Sequence, residues 1–258
     1  MRDRRPFLIA SPPERLKALR QETEARVALG RTGASPPTRA VQTFLLDHAQ
    51  ARQAVWRPLD IDEMERQLHA AGADVVHVAS RAKDRREYLR RPDLGRALAD
   101  EGRVTLEGHA KGSDVALVIA DGLSATAVEM NAVPVASALL NSLTSNGLTV
   151  TPVILATQGR VALADDVGAA LGAKIAVILI GERPGLSAAD SLGAYITVAP
   201  ETGLPDSRRN CISNIRDGGT PPLQAANKIV TLMNAMCQQE TSGVTLVEFE
   251  KPVTTLSD

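Results

Sequence analysis

The chain has 258 residues, a formal net charge of −1, 44% hydrophobic residues and 23% charged residues. Near-neutrality supplies no global field toward nucleic acid or an anionic membrane, and aromatics at 2% leave too few rings for base-stacking platforms. Length and composition suit a globular protein of one large domain, or one domain with an extension.

At the N-terminus, "MRDRRPFLIASPPERLK" is basic, but its only apolar run is Phe7 to Ala10, too short for a signal-peptide core. No apolar run approaches the roughly 20 residues that span a bilayer. Residues 13–30 read as a helix, with Leu16, Leu19, Ala25 and Leu29 near helical spacing. "GRTGASPPT" (30–38) breaks it. Further helices are expected over 39–56 and 60–72, the latter with Asp60 as N-cap. This makes residues 1–72 a helical N-terminal region.

Residues 73–258 read as an α/β domain. Short, almost uniformly apolar runs at 74–80, 114–122, 149–156, 174–182 and 194–200 suit strands covered on both faces. Helical stretches at 123–145, 160–172 and 221–240 lie between or after them. The alternation predicts a Rossmann-like, mostly parallel sheet with helices on both faces. Pro134 is expected to kink or divide the first of these helices. Two cysteines without CxxC spacing, Cys211 and Cys237, fit a reduced cytoplasmic chain.

Ligands of open α/β sheets bind beyond the carboxyl ends of the strands. Three such ends are polar and glycine-bearing: Asp121 to Ser124, Gln158 to Val161, and Gly181 to Gly185. Free N–H groups at the helix starts that follow favour anions and carbonyls. The loop 207–222 adds Arg208, Arg209, Asn210, Cys211 and Asn214 as donors. Glycine and arginine are also simply common in such loops.

The chain lacks GxGxxG, GxxxxGK[ST], HExxH and CxxC. Ser124 tests as a nucleophile elbow, but all four histidines (His48, His69, His77, His109) precede it, so an N-cap role is favoured. The arginine-rich stretch 80–96 is interrupted by Asp84, Glu87 and Asp93, which favours a solvated face or a polar subunit interface over a phosphate-binding patch. His77 and His109 each stand alone, without a second ligand at metal spacing. Cys237 shares a helical face with Leu232, Met233 and Met236 and reads as core. Cys211 reads either as a ligand contact or as a buried loop cysteine.

Five blocks, "GRTGASPPT", "SRAKDRREYLRRPDLGR", "VIADGLSATAV", "ILIGERPGLSAADSLGAY" and "RNCISNIRDGGTPPLQAANKI", together resemble the small (light) subunit of ethanolamine ammonia-lyase over residues 26–240. The resemblance implies an adenosylcobalamin-dependent radical lyase that converts ethanolamine to acetaldehyde and ammonia. It implies a large-subunit partner, a TIM barrel with the catalytic groups, in a dodecamer of six large and six small chains. It implies a cytoplasmic enzyme, in some members within a bacterial microcompartment. In this chain it implies cobalamin contacts at Val161, Glu182 and Cys211, with Arg160 a further candidate by adjacency, and no catalytic residue. The DxHxxG signature of histidine-ligated cobalamin is absent, so the cofactor is expected to stay base-on, with no cobalt ligand from this chain. The arginine-rich stretch and the helical N-terminal third are the segments expected to face the large subunit. The competing expectations are a stand-alone α/β enzyme using Ser124 or Cys211, and a nucleic-acid or scaffold protein using 80–96.

Overall fold

The computed structural model describes residues 14–23 and 25–246; the basic stretch before Glu14 and the tail after Leu246 lie outside the described residues. Three helices come first: α1 (Glu14–Glu22), α2 (Thr38–Trp56) and α3 (Ile61–Ala70). They are followed by β1 (Val75–Ala79), α4 (Arg85–Arg90), α5 (Asp100–Glu107), β2 (Val115–Ala120), α6 (Ala125–Ser145) and β3 (Val153–Thr157). Then come α7 (Leu163–Leu171), β4 (Ile175–Gly181), β5 (Leu192–Val198), β6 (Asn210–Ile215) and α8 (Pro222–Gln239).

α1 stops well before Gly30. The Thr23 hydroxyl accepts a hydrogen bond from the Ala25 N–H at 3.1 Å, a local turn that competes with helix. α3 begins as its sequence dictates: the Asp60 carboxylate accepts from the Glu63 N–H at 3.1 Å. α6 runs unbroken past Pro134, so that proline does not divide it. Cys237 is a correction. It is exposed, because α8 turns Met233 and Met236 inward and leaves Cys237 outward.

The six strands form one sheet in the order β1-β3-β2-β4-β5-β6. The first four are mutually parallel; β5 runs antiparallel to both β4 and β6. The sheet is therefore mixed, not mostly parallel. The reason is connection length. Only residues 182–191 join β4 to β5, short of the dozen or more that a parallel crossover requires. Residues 210–215, read from sequence as loop, are the edge strand β6.

Successive residues of β2 alternate between two apolar clusters, as the period of two requires. Val115, Leu117 and Ile119 join one cluster with residues of α3, α6 and α8. Ala116, Val118 and Ala120 join another with residues of α5 and α7. The second side is lined with alanines, and Gly168 of α7 has no room for a Cβ against Ala176 and Pro200, so α7 lies close to the sheet. Each large side chain fully buried here contributes roughly 1.5–3 kcal/mol.

Candidate functional site

Because β1, β3, β2 and β4 are parallel, their carboxyl ends share one edge of the sheet. Two of these ends, those of β2 and β4, touch through glycines. Gly122 has φ +54°, and a Cβ there would overlap the Gly181 carbonyl oxygen. A Cβ on Gly181 would in turn overlap the Ser124 carbonyl oxygen. The Leu123 N–H donates to the Gly181 carbonyl at 2.8 Å, which ties the two ends together. Ser124 is an N-cap as its position suggests. Its hydroxyl oxygen accepts from the Ala127 N–H at 3.1 Å, and its O–H donates to the Ala189 carbonyl at 2.7 Å. That hydroxyl is spent on structure, and the nucleophile alternative falls.

At the β4 end, Glu182 is half-buried. Its Oε2 accepts from the Ser191 hydroxyl at 2.5 Å and from the Asn214 N–H at 3.2 Å. Its Oε1 lies over Gly193, where an added Cβ would sit 3.0 Å away. Glu182 follows Ile178 and Ile180 in the two-residue phase that faces the α7 side of the sheet. Tyr195 and Val161 pack on the same cluster. Tyr195 pairs with Cys211 across the β5–β6 ladder, so their side chains share a face. Cys211 is thus neither in a loop nor buried as a residue. Its thiol is nevertheless pushed up, first by desolvation; a hydrogen bond from Tyr195 opposes this and the Glu182 charge adds to it. Desolvation, with the neighbouring Cys211, likewise raises the Tyr195 phenol.

At the β3 end the chemistry is drier. The Asp121 carboxylate, almost fully buried just past β2, accepts from the Gly159 N–H at 3.1 Å and from Arg85 Nη1 at 3.1 Å. Burial raises its pKa against the opposing pull of Arg85 and of the Gln158, Gly159 and Gly122 N–H groups. Tyr88, fully buried, donates its O–H to the Gly159 carbonyl at 3.0 Å. Desolvation and Asp121 raise the Tyr88 phenol. The Arg160 guanidinium lies over the Tyr88 ring at 4.2 Å and that of Arg85 at 4.6 Å. Gln158 holds a left-handed φ of +55°, a conformation costing a residue with a Cβ about 1–2 kcal/mol.

The structure therefore brings Glu182, Cys211 and Val161 to one face of the sheet and sets Arg160 back against Tyr88. Part of the expected donor set is already committed. Arg209 forms a buried ion pair with Asp165, and the Asn210 side-chain amide bonds Gly243. His77 meets Glu65 at 3.3 Å, as does His69 at 3.4 Å. Among the described residues no group of three or more His, Cys, Asp or Glu is arranged to hold a metal ion. Nor is any helix among them long and apolar enough to cross a membrane. Sequence reasoning missed Tyr195 and Ser191, and treated Arg85 as surface. The usable signal for Arg85 was Tyr88 three residues on, a helical neighbour and one of only two tyrosines in the chain.

Residues 13–247 match the family model described as ethanolamine ammonia-lyase light chain. The chain is 49% identical over 241 residues to an ethanolamine ammonia-lyase small subunit from Pseudomonas syringae, covering 92% of this chain and 84% of that one. It is 48% identical over 251 residues to the one from Ralstonia nicotianae, covering 96% and 92%. Against the one from Azotobacter vinelandii it is 49% identical over 232 residues, covering 88% and 86%.

Proposed function

The chain belongs to the ethanolamine ammonia-lyase light-chain family, and from that premise we propose that it helps hold adenosylcobalamin where it meets the catalytic large subunit. The observation that carries this proposal is the face of the sheet shared by the ends of β3 and β4. There Glu182, Cys211 and Val161, distant in sequence, face the same side of the sheet. The donor set suits a corrin periphery of amide side chains. Both hydrogen bonds to Glu182 reach Oε2, which leaves Oε1 to accept from a ligand amide. Val161 offers backbone groups and apolar surface, and Cys211 a side chain that packs without touching cobalt. Arg160 lies over the Tyr88 ring and donates to the Tyr88 carbonyl, which leaves it the weakest of the four contacts.

Adenosylcobalamin, when bound, supplies the homolytic chemistry of a radical ammonia-lyase. This chain orients and shields, and the ethanolamine-binding and catalytic groups belong to the large subunit, a TIM barrel in a dodecamer of six and six. The cofactor keeps its own base, and no residue of this chain ligates cobalt. The same proposal takes the parallel part of the fold as Rossmann-like, the chain as cytoplasmic and a microcompartment as one address. The helical N-terminal segment supplies a surface for the large subunit. α2 buries only Ala54 among its described side chains, while Val41, Phe44, Leu45, Leu46 and Trp56 are each more than a third exposed. Helices in proteins draw most of their stability from a packed apolar face, and a contiguous exposed one marks an interaction site.

The test is ammonia release from ethanolamine with adenosylcobalamin, for this chain, the cognate large chain, and both together. Activity is expected only in the mixture and should fall with Glu182→Ala. Activity in this chain alone would refute the subunit assignment. A fully active Glu182→Ala mixture with native cofactor affinity would refute the contact but not the family.

A further inference from the structure

On the strength of the cobalamin-binding assignment above, we propose that Arg85, Tyr88 and Asp121 are positioning residues. They set the 158–161 turn in the shape that presents Val161 to the cofactor, and they touch no ligand themselves. The turn is held from every side. Gly159 is gripped on both sides: Asp121 accepts from its N–H, and the Tyr88 O–H donates to its carbonyl. Arg85 Nη1 spans Asp121 Oδ2 at 3.1 Å and Gln158 Oε1 at 3.5 Å, so one guanidinium braces the anchor and the left-handed residue together. The Arg160 N–H donates to the Gly95 carbonyl at 2.7 Å, and its Nη2 to the Tyr88 carbonyl at 3.3 Å. Gly159 has no room for a Cβ against Ala120 and Leu163, and Gly95 has none against Arg160 and Tyr88.

Joining a strand to a helix needs none of this. α7 starts without any side-chain cap, and ordinary strand–helix loops use a few permissive residues. Here a fully buried tyrosine, an almost fully buried carboxylate and a mostly buried arginine hold one turn that contains a left-handed glutamine. Buried ion pairs are weak sources of stability but can fix one conformation against alternatives. Strained backbone persists where neighbouring groups over-determine it, and such strain clusters at ligand sites. Arg85 is also anchored from the far side, its Nε donating to the Val55 carbonyl at the end of α2 at 2.6 Å. The turn is therefore built before any ligand arrives.

The test uses the reconstituted complex of this chain with its large subunit and measures cyanocobalamin affinity by equilibrium dialysis, with subunit assembly and melting followed in parallel. Tyr88→Phe keeps the ring and removes only the O–H; Arg85→Lys keeps the charge and loses the bridging fork. Each is expected to weaken cyanocobalamin about tenfold with assembly intact, as loss of an outer-shell support does elsewhere. Arg91→Ala is expected to leave the affinity unchanged, because Arg91 in the same arginine-rich stretch is exposed and, among the described residues, forms its ion pair with its neighbour Asp93. If the native complex binds cyanocobalamin and both variants bind it equally well, or lose it only in step with assembly, the positioning role is overturned and the cofactor assignment stands. A native complex that takes up no cobalamin overturns both.

Discussion

The ends of β3 and β4 lie along the same edge of the sheet and solve opposite problems. At the β3 end the carboxylate and the phenol meet protein groups, Asp121 with Arg85 and Gly159 and Tyr88 with Gly159, while among the described residues Arg85 Nη2 and Arg160 Nε are buried without a hydrogen-bond partner. At the β4 end Glu182 bonds through one oxygen, and Arg183, Gly185 and Ser187 stand exposed beyond it. A buried polar group left unpaired costs more than its bond would return, so the dry end pairs its carboxylate and phenol within the protein. The wet end can leave bonds open, because water fills them until something else does. One end is framework and the other is contact surface, and Gly122 against Gly181 fastens the end of β2, which carries the framework's Asp121, to β4.

The harshest way to break this pairing is at that junction. Gly122→Ala should remove most soluble folded protein, since its Cβ meets backbone that cannot yield and its φ is left-handed. Gly112→Ala, also left-handed but with open space around it, should cost only about 1–2 kcal/mol by urea titration. Similar losses for the two would mean that close approach does not hold the strand ends together.

Next in size is the contrast between the carboxylates. Asp121→Ala strands a mostly buried Arg85 and should cost about 3–5 kcal/mol. Glu182→Ala gives up hydrogen bonds at a half-solvated site and should cost about 1 kcal/mol. Equal urea midpoints would erase the distinction between framework and contact surface.

A smaller effect sits on Cys211. With Cys237 replaced by Ser, the Cys211 thiol should alkylate with iodoacetamide at pH 8 more slowly than in the unfolded chain, because burial and Glu182 disfavour its thiolate. Glu182→Gln should speed it by about twofold. A native thiol as fast as the unfolded one would place Cys211 away from Tyr195 and Glu182.

The smallest expected effect is at the opposite edge of the sheet, which serves as the control. Asp114 accepts from Lys174 Nζ at 2.8 Å and from the Thr149 N–H and hydroxyl at 2.9 and 2.8 Å. These partners, Lys174 first, hold its carboxyl well below the usual carboxylate range. A carboxylate whose folded pKa is depressed stabilises above its unfolded value of about 4, and loses that contribution as pH falls through the folded value. Asp114→Asn should therefore cost about 1 kcal/mol at neutral pH and progressively less below about pH 4. A cost independent of pH would show that the carboxylate charge contributes nothing there.

Much of the fold was legible because apolar pattern and burial are the same fact seen twice. The five strand runs, the Asp60 and Ser124 caps and the run of α8 all follow from side chains and their spacing. The sheet's direction was legible as well, had the short 182–191 connection been weighed against the apolar runs. β6 was not, because Asn210, Ser213 and Asn214 carry no alternating apolar pattern; an edge strand needs only a neighbour's backbone. Of the site, Glu182 and the 158–161 turn were marked by their place after apolar strands. Cys237 was misplaced because two methionines fixed the inner face of α8 and left it outside.

The sequence by itself determined the runs of β1 to β5 and of α2, α3, α6, α7 and α8, which edge of the sheet would be polar, and to which family the chain belongs. Only the tertiary structure decided that Arg85, from a stretch that looked solvated, enters the protein to brace Asp121, and that Tyr195 stands beside both Cys211 and Glu182. The reason is that periodicity records the solvent a residue faces along its own element. Pairing between elements depends on strand order and on the small side chains that let α7 and the two glycines approach, and neither quantity is local.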